Sequence, residues 1–158
     1  MKRIYFPLPV LISLPWAIWL ARGLPASWQN APFDQHSEWV FAFWLTGCFW
    51  MIWERPHFDS ITWSVALAAQ CLGVVGQLNI LIYLGLALML MSLTGIQIYI
   101  RVIWIGTALF WMPVIGWLFK TMGADTVVWI RFAGLLVAVF ILTAWQWTQQ
   151  TERTHAIS

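Results

Sequence analysis

Apolar residues run along the chain in six blocks, residues 4–21, 38–53, 61–77, 79–100, 102–119 and 126–147, each closed by a short polar or turn-forming stretch. Each block comes close to the roughly 17 to 25 residues that a helix needs to cross a bilayer. Arg22 to Ser37 (RGLPASWQNAPFDQHS) follows the first block, and Glu54-Arg55-Pro56-His57-Phe58-Asp59-Ser60 follows the second. Gln77-Leu78-Asn79 forms a tight turn, with Asn79 placed to cap the fourth helix by accepting a backbone N–H bond. Arg101 marks the next turn, Lys120 to Asp125 the last loop, and the tail from Thr148 is polar. The pattern predicts an all-α fold: a polytopic integral membrane protein with about six transmembrane helices in one bundle, a single domain over residues 1–158.

Composition strengthens that reading. Hydrophobic residues make up 61% of the chain and charged residues 9%, against about a quarter charged in soluble domains. Such a chain cannot cover a water-facing surface, so the lipid bilayer is its first expected partner. The basic residues stand singly apart from Lys2 and Arg3, and no basic stripe offers itself to nucleic acid. The first block has the basic start of a signal peptide, but its two tryptophans, three prolines and missing A-x-A site predict a retained helix. With a cytoplasmic N-terminus, Lys2, Arg3, Arg55, Arg101 and Arg153 fall inside and Arg22, Lys120 and Arg131 outside. This bias predicts that both termini are cytoplasmic, and the expected location is a bacterial inner (plasma) membrane.

Tryptophan supports the boundaries, because indole settles at the headgroup level. Trp53, Trp63, Trp104, Trp145 and Trp147 fall at expected inner ends, and Trp19, Trp39, Trp117 and Trp129 at outer ends. Trp44, Trp50 and Trp111 sit deeper and are expected to pack between helices.

Three features bear on packing and chemistry. Thr62, Ala66, Ala69, Gly73 and Gly76 share one face of the third helix, where another backbone can approach, with Gly85, Ser92 and Gly95 as partners. Pro113 is expected to kink the fifth helix, either as ordinary structure or to mark a gate. Arg131 is the basic residue well inside an apolar block, about one turn from its outer end. Its side chain is expected to snorkel to the headgroups. The alternative is an inward polar site in which Arg131 turns toward Glu38 or His36, with Asp34 and Asp125 on the same side as further candidate partners.

Cys48 and Cys71 lie in apolar runs and read as buried free thiols, not as a disulfide or metal ligands. His36, His57 and His155 all lie in loops or the tail, so a bis-histidine haem has no ligands in the helices. No metal or other cofactor is expected, and no hydrolase, phosphate-binding or dinucleotide motif is present.

The stretch Trp28-Gln29-Asn30-Ala31-Pro32-Phe33-Asp34-Gln35-His36-Ser37, leading into a helix that ends Phe49-Trp50-Met51-Ile52-Trp53-Glu54-Arg55, resembles the N-terminal half of the exosortase and archaeosortase family. A glycine-rich hairpin and Phe110-Trp111-Met112-Pro113 follow in a similar order. The resemblance implies a multi-spanning membrane protein related to transpeptidases that process C-terminal sorting signals. It implies a cysteine nucleophile aided by arginine and histidine in a later part of the fold, which this chain lacks. Gln70-Cys71-Leu72-Gly73 echoes the cysteine motif, but Arg101 falls on the opposite side, so no catalytic residue is carried over.

The expected function is therefore a noncatalytic membrane subunit or accessory protein, partnered by another membrane protein or by a second copy. Two alternatives stand beside it. One is an exosortase-like cysteine transpeptidase or protease acting through Cys71. The other is a small transporter with Pro113, Gln70, Gln77 and Gln97 along its path.

Overall fold

The computed structural model describes the backbone of residues 8–155 and the side chains of residues 8–143. The chain opens with helix α1 (Leu8–Leu20), a 3₁₀ turn (Ala21–Gly23) and helix α2 (Leu24–Asn30). Together they form a nearly continuous apolar run of 23 residues. The segment expected to leave the helix at Arg22 thus stays helical to Asn30. Pro25 permits this because it occupies the first turn of α2, where the missing N–H costs no hydrogen bond. Val10, Ser13, Ala17, Ala21, Leu24 and Trp28 are buried. They recur every three or four residues and define the inward face of this rod. Arg22 lies outside it, its guanidinium 4.3 Å from the centre of the Trp19 ring.

Helices α3 (Ser37–Glu54) and α4 (Ser60–Val75) follow the second and third apolar blocks closely. Helix α5 (Asn79–Met91) begins on schedule, although Leu78 holds the capping position and the Asn79 side chain makes no cap. It then stops far short of residue 100. Two loops draw the chain aside here: His57 donates its backbone N–H to Leu93 (3.1 Å), Asp59 to Ser92 (2.8 Å) and Gly95 to Arg55 (2.7 Å). The Thr94 hydroxyl adds a bond to the Met51 carbonyl at 3.2 Å. Residues 92–97 are consequently the turn, and Arg101 stands within helix α6 (Ile98–Thr107) instead of marking a boundary.

Pro113 does more than kink a helix. After α6 the chain tightens into a 3₁₀ turn (Ala108–Phe110), Met112 becomes extended (φ −76°, ψ 149°), and α7 (Pro113–Leu118) starts afresh. The residue before a proline is pushed out of the helical region by the ring. A further 3₁₀ turn (Lys120–Met122) leads through Gly123 into α8 (Ala124–His155), which runs beyond the expected end at Trp147.

The architecture is all-helical, with no strand among the described residues. Two segments, Leu8–Asn30 and Ala124–Thr143, are long and apolar enough to cross a membrane, while Ser60–Val75, Asn79–Met91 and Ile98–Phe110 are shorter apolar helices. Helix α5 is the central element, buried on nearly all sides through Ile82, Tyr83, Leu86, Ala87, Met89, Leu90 and Met91. It packs along the whole of α4. The small-residue face of α4 makes that possible, with Ala66 and Gly73 buried against α5. A methyl at Gly73 would meet Ile82 (backbone N at 2.9 Å), and one at Gly85 would meet Gln70 and the Ala66 carbonyl oxygen (2.9 Å). Of the other two residues expected at this seam, Gly95 lies instead against His57, and Ser92 ends α5 with its hydroxyl on the Met89 carbonyl (2.6 Å).

The distribution of polarity is inverted. Trp53 and Val75 are more than 80% exposed, and so to a lesser degree are Leu8, Ile61, Trp129 and Phe140, whereas Arg131, Asp34, Gln70 and Thr94 are buried. The expected roles of the tryptophans divide along the same line. Trp19, Trp39, Trp53, Trp117 and Trp129 are exposed, and Trp44 and Trp111 are fully buried. Trp104 is not an anchor but a core residue, and Trp50 is not buried but lies on the surface, donating to Glu54 at 3.3 Å. Trp145 and Trp147 lie outside the described side chains.

Gly85→Val should destabilise the α4–α5 hairpin by about 1–3 kcal/mol, because the added methyls meet backbone. Gly106→Ala has open space around it and should stabilise by about 0.5–1 kcal/mol through helix propensity. Denaturant unfolding of the purified variants, followed by circular dichroism, checks both signs.

Candidate functional site

The polar centre of the molecule is built by the break before Pro113. A helix that ends leaves carbonyls without intrahelical donors, and a buried orphan costs about 1–3 kcal/mol. Here each finds a partner. The Phe110 carbonyl accepts from Arg131 Nη1 at 2.6 Å and the Met112 carbonyl from the same nitrogen at 3.2 Å. The Trp111 carbonyl between them accepts from Trp28 Nε1 at 3.0 Å. One turn earlier, the Trp104 carbonyl accepts from Trp44 Nε1 (3.0 Å) and from the Thr107 hydroxyl (2.6 Å).

Arg131 is completely buried. Its second terminal nitrogen donates to the carboxylate of Asp34 and, at 3.4 Å, to the Phe33 carbonyl. The planar guanidinium therefore joins three segments: the 3₁₀ turn at Pro32–Asp34, the end of the α6 run, and α8. Gly116 in α7 makes room, since a methyl there would strike Asp34 and come within 3.1 Å of Arg131 Nη2. Gly134, one turn along α8, similarly accommodates the Phe110 ring.

The expectation that Arg131 snorkels outward is thus overturned. Two freed carbonyls and a carboxylate offer it stronger partners than the surface does. The inward partner is Asp34, not Glu38 or His36. Glu38 is exposed at the start of α3. His36 adopts a left-handed conformation (φ 65°) that turns the chain into α3 and leaves its own side chain exposed. Asp125 is also exposed. The partnering role of Trp28 escaped the sequence reading altogether. Its only signal was the placement of an indole four residues before the Pro32-Phe33-Asp34 turn.

An aromatic cluster rests against this centre. Phe41 meets Trp111 edge to face at 4.9 Å and Trp28 at 5.6 Å, and Trp44 lies 5.5 Å from Trp111 and 6.4 Å from Trp104. Cys48 is buried below it and accepts from Trp104 Nε1 at 3.3 Å. Cys71 departs from expectation: it is exposed on α4. Neither thiol is bonded to a histidine, arginine or lysine among the described residues. Gln70 is buried with both amide atoms unpaired, while Gln77 and Gln97 are exposed in the turns at opposite ends of α5's hairpin and following loop. The three glutamines do not converge on a path.

A second ion pair lies among the loops joining α3 to α4 and α5 to α6. Asp59 caps α4, accepting from the backbone N–H groups of Ile61 and Thr62 (3.1 and 3.3 Å) and from the Thr62 hydroxyl (2.9 Å). Arg101 Nη1 donates at 2.5 Å to Oδ2, the oxygen that also accepts from the Thr62 hydroxyl. Burial pushes the Asp59 carboxyl up, but the bonds from Arg101 and Thr62 and the guanidinium charge outweigh it and hold the group at about 2.

Among the described residues no group of histidine, cysteine, aspartate and glutamate is arranged to hold a metal ion. No family model, curated protein or solved structure matches the chain.

Two measurements follow. Arg131→Lys should destabilise by about 3 kcal/mol, because an ammonium cannot serve the carboxylate and three carbonyls that the fork reaches together. Arg131→Ala and Asp34→Ala should be non-additive by about 1–3 kcal/mol, while Arg131→Ala and Glu38→Ala should add. The second measurement is a pH titration of stability. Asp59 has a folded pKa below its unfolded value, so its contribution is present above about pH 4 and is lost as pH falls towards 2. Asp59→Asn should remove this acid limb from the unfolding midpoint plotted against pH.

Proposed function

We propose that the chain is a noncatalytic polytopic membrane protein, a subunit or accessory of a larger membrane assembly. The observation that carries this reading is the combination of an apolar exterior with a buried charge pair used up in structure. Arg131 and Asp34 neutralise each other and satisfy a broken helix, which leaves neither free as an acid, a base or an ion ligand. The apolar exterior matches hydrocarbon, which solvates Trp53, Val75 and Phe140 at no cost. A discontinuous helix is tolerated at membrane depth when protein groups satisfy its backbone, and the Arg131 and Trp28 bonds meet that requirement.

In this reading the rod of α1 and α2, the helices α3, α4 and α5, the broken run of α6 and α7, and α8 make six passes in a bacterial inner membrane, with both termini in the cytoplasm. Of the shorter passes, α5 is enclosed by its neighbours, while α4 and α6 turn exposed apolar residues such as Ile61, Val75 and Val102 outward. A noncatalytic relative of exosortases fits the sequence motifs. Cys48 and Cys71 play no chemical part in this reading, since neither thiol lies against a cation that could activate it.

Affinity purification from mild detergent tests the subunit reading: a stoichiometric membrane partner, retained in Cys71→Ser, is the expected outcome. Abolition of cellular activity by Cys71→Ser at normal protein level would replace it with the transpeptidase reading. Reporter fusions at Ser60 and Gly95 should read cytoplasmic, and fusions at Gln35 and Gly123 external.

A further inference from the structure

Between α1, α3 and α5 runs an open groove of about 680 Å³. Its floor is α5, through Leu86 and Leu90, and its walls are α1 and α3. It lies where α1 packs on α5, with the small residues Ser13 and Ala17 buried on the inward face of α1. All thirteen lining residues are apolar. A peptide or polar ligand would leave its hydrogen-bonding groups unpaired there, at a cost of several kcal/mol, so the occupant is hydrocarbon.

The dimensions narrow it further. The groove spans Val10 to Ile18 on α1 and Phe41 to Trp53 on α3, about 12 and 18 Å at the helical rise. One leaflet of hydrocarbon is about 15 Å deep. A partner helix, about 10 Å across and crossing both leaflets, exceeds the groove in length. The groove is closed at one end by the packed cluster of Val10, Ile52 and Leu93, beside which α3 ends at Trp53, Glu54 and Arg55. Trp53 and Arg55 are exposed there, with an indole suited to the interface and a guanidinium suited to a phosphate. Glu54 lies at the same place, and its carboxylate is engaged by Trp50 Nε1.

We infer that this groove holds one acyl chain of a phospholipid, with the lipid phosphate at Arg55. The inference rests on the membrane reading above, and the test separates the two. The full chain is reconstituted in vesicles of equal parts phosphatidylcholine and phosphatidylglycerol, floated on a density gradient, extracted in mild detergent and weighed by native mass spectrometry. Failure to float with the vesicles would overturn the membrane reading itself. If the chain floats, one phospholipid should remain bound per chain. Leu14→Trp, which fills the groove, should abolish retention while the helix content by circular dichroism is unchanged. Should that variant fail to fold, the surface change Arg55→Gln decides. It should lower the phosphatidylglycerol share of the retained lipid at least twofold. Absence of retained lipid, a share unmoved by Arg55→Gln, or a dimer mass lost on filling the groove would overturn the inference, the last by giving the groove to a second copy.

Discussion

A helix broken inside an apolar body must find donors for the carbonyls it frees, and here one guanidinium supplies most of them. Arg131 reaches the Phe110 and Met112 carbonyls on one side and Asp34 on the other. The remaining structure is arranged around that need. Gly116 and Gly134 clear its surroundings, Trp28 serves the carbonyl it cannot reach, and α8 carries it to the right depth. Pairing a buried charge rarely adds stability by itself, but removing one partner strands the other. The network therefore acts more as a specification of geometry than as a reserve of energy.

The tryptophans illustrate how one residue type serves two environments. At the surface, Trp53 and Trp129 present amphipathic rings to whatever surrounds the bundle. In the interior, Trp28, Trp44 and Trp104 combine large apolar area with a single N–H, and each N–H is aimed at a specific acceptor. Stacked and edge-on contacts among Phe41, Trp44, Trp104 and Trp111 fill the space between α3 and α6. A core of this kind is stiff, because the rings are fixed by packing and those of Trp28, Trp44 and Trp104 also by a directional bond. The Trp111 indole N–H and the Gln70 amide, beside Gly85, are by contrast buried without a partner.

Much of the fold was legible in the sequence where hydrophobic pattern alone decides. The limits of α3 and α4 and the small-residue seam at Gly73 and Gly85 follow from local spacing. What was not legible depends on contacts between distant residues. The early end of α5 arises from the pairing of residues 55–59 with 92–95, which no single-segment pattern encodes. Pro25 and Pro113 are identical in local chemistry, yet one continues a rod and the other begins a new helix after a full break. The candidate site was half visible: Arg131 and Asp34 stood out as charges on the same side of apolar blocks. Snorkelling seemed cheaper only because the carbonyls freed before Pro113 were not counted.

The separation of Asp34 and Arg131 along the chain, 97 residues, also sets an order of events during synthesis. Asp34 emerges with the first helices, and the broken run before Pro113 emerges next, but the group that neutralises the one and satisfies the other arrives only with the last helix. Every intermediate before that point holds an unpaired carboxylate and bare carbonyls, groups that an apolar phase rejects. Arrival of α8 is therefore the step that closes the polar centre. A chain cut short before residue 131 would hold most of the helices described and lack the donor that fastens them, which makes it a natural substrate for cellular quality control.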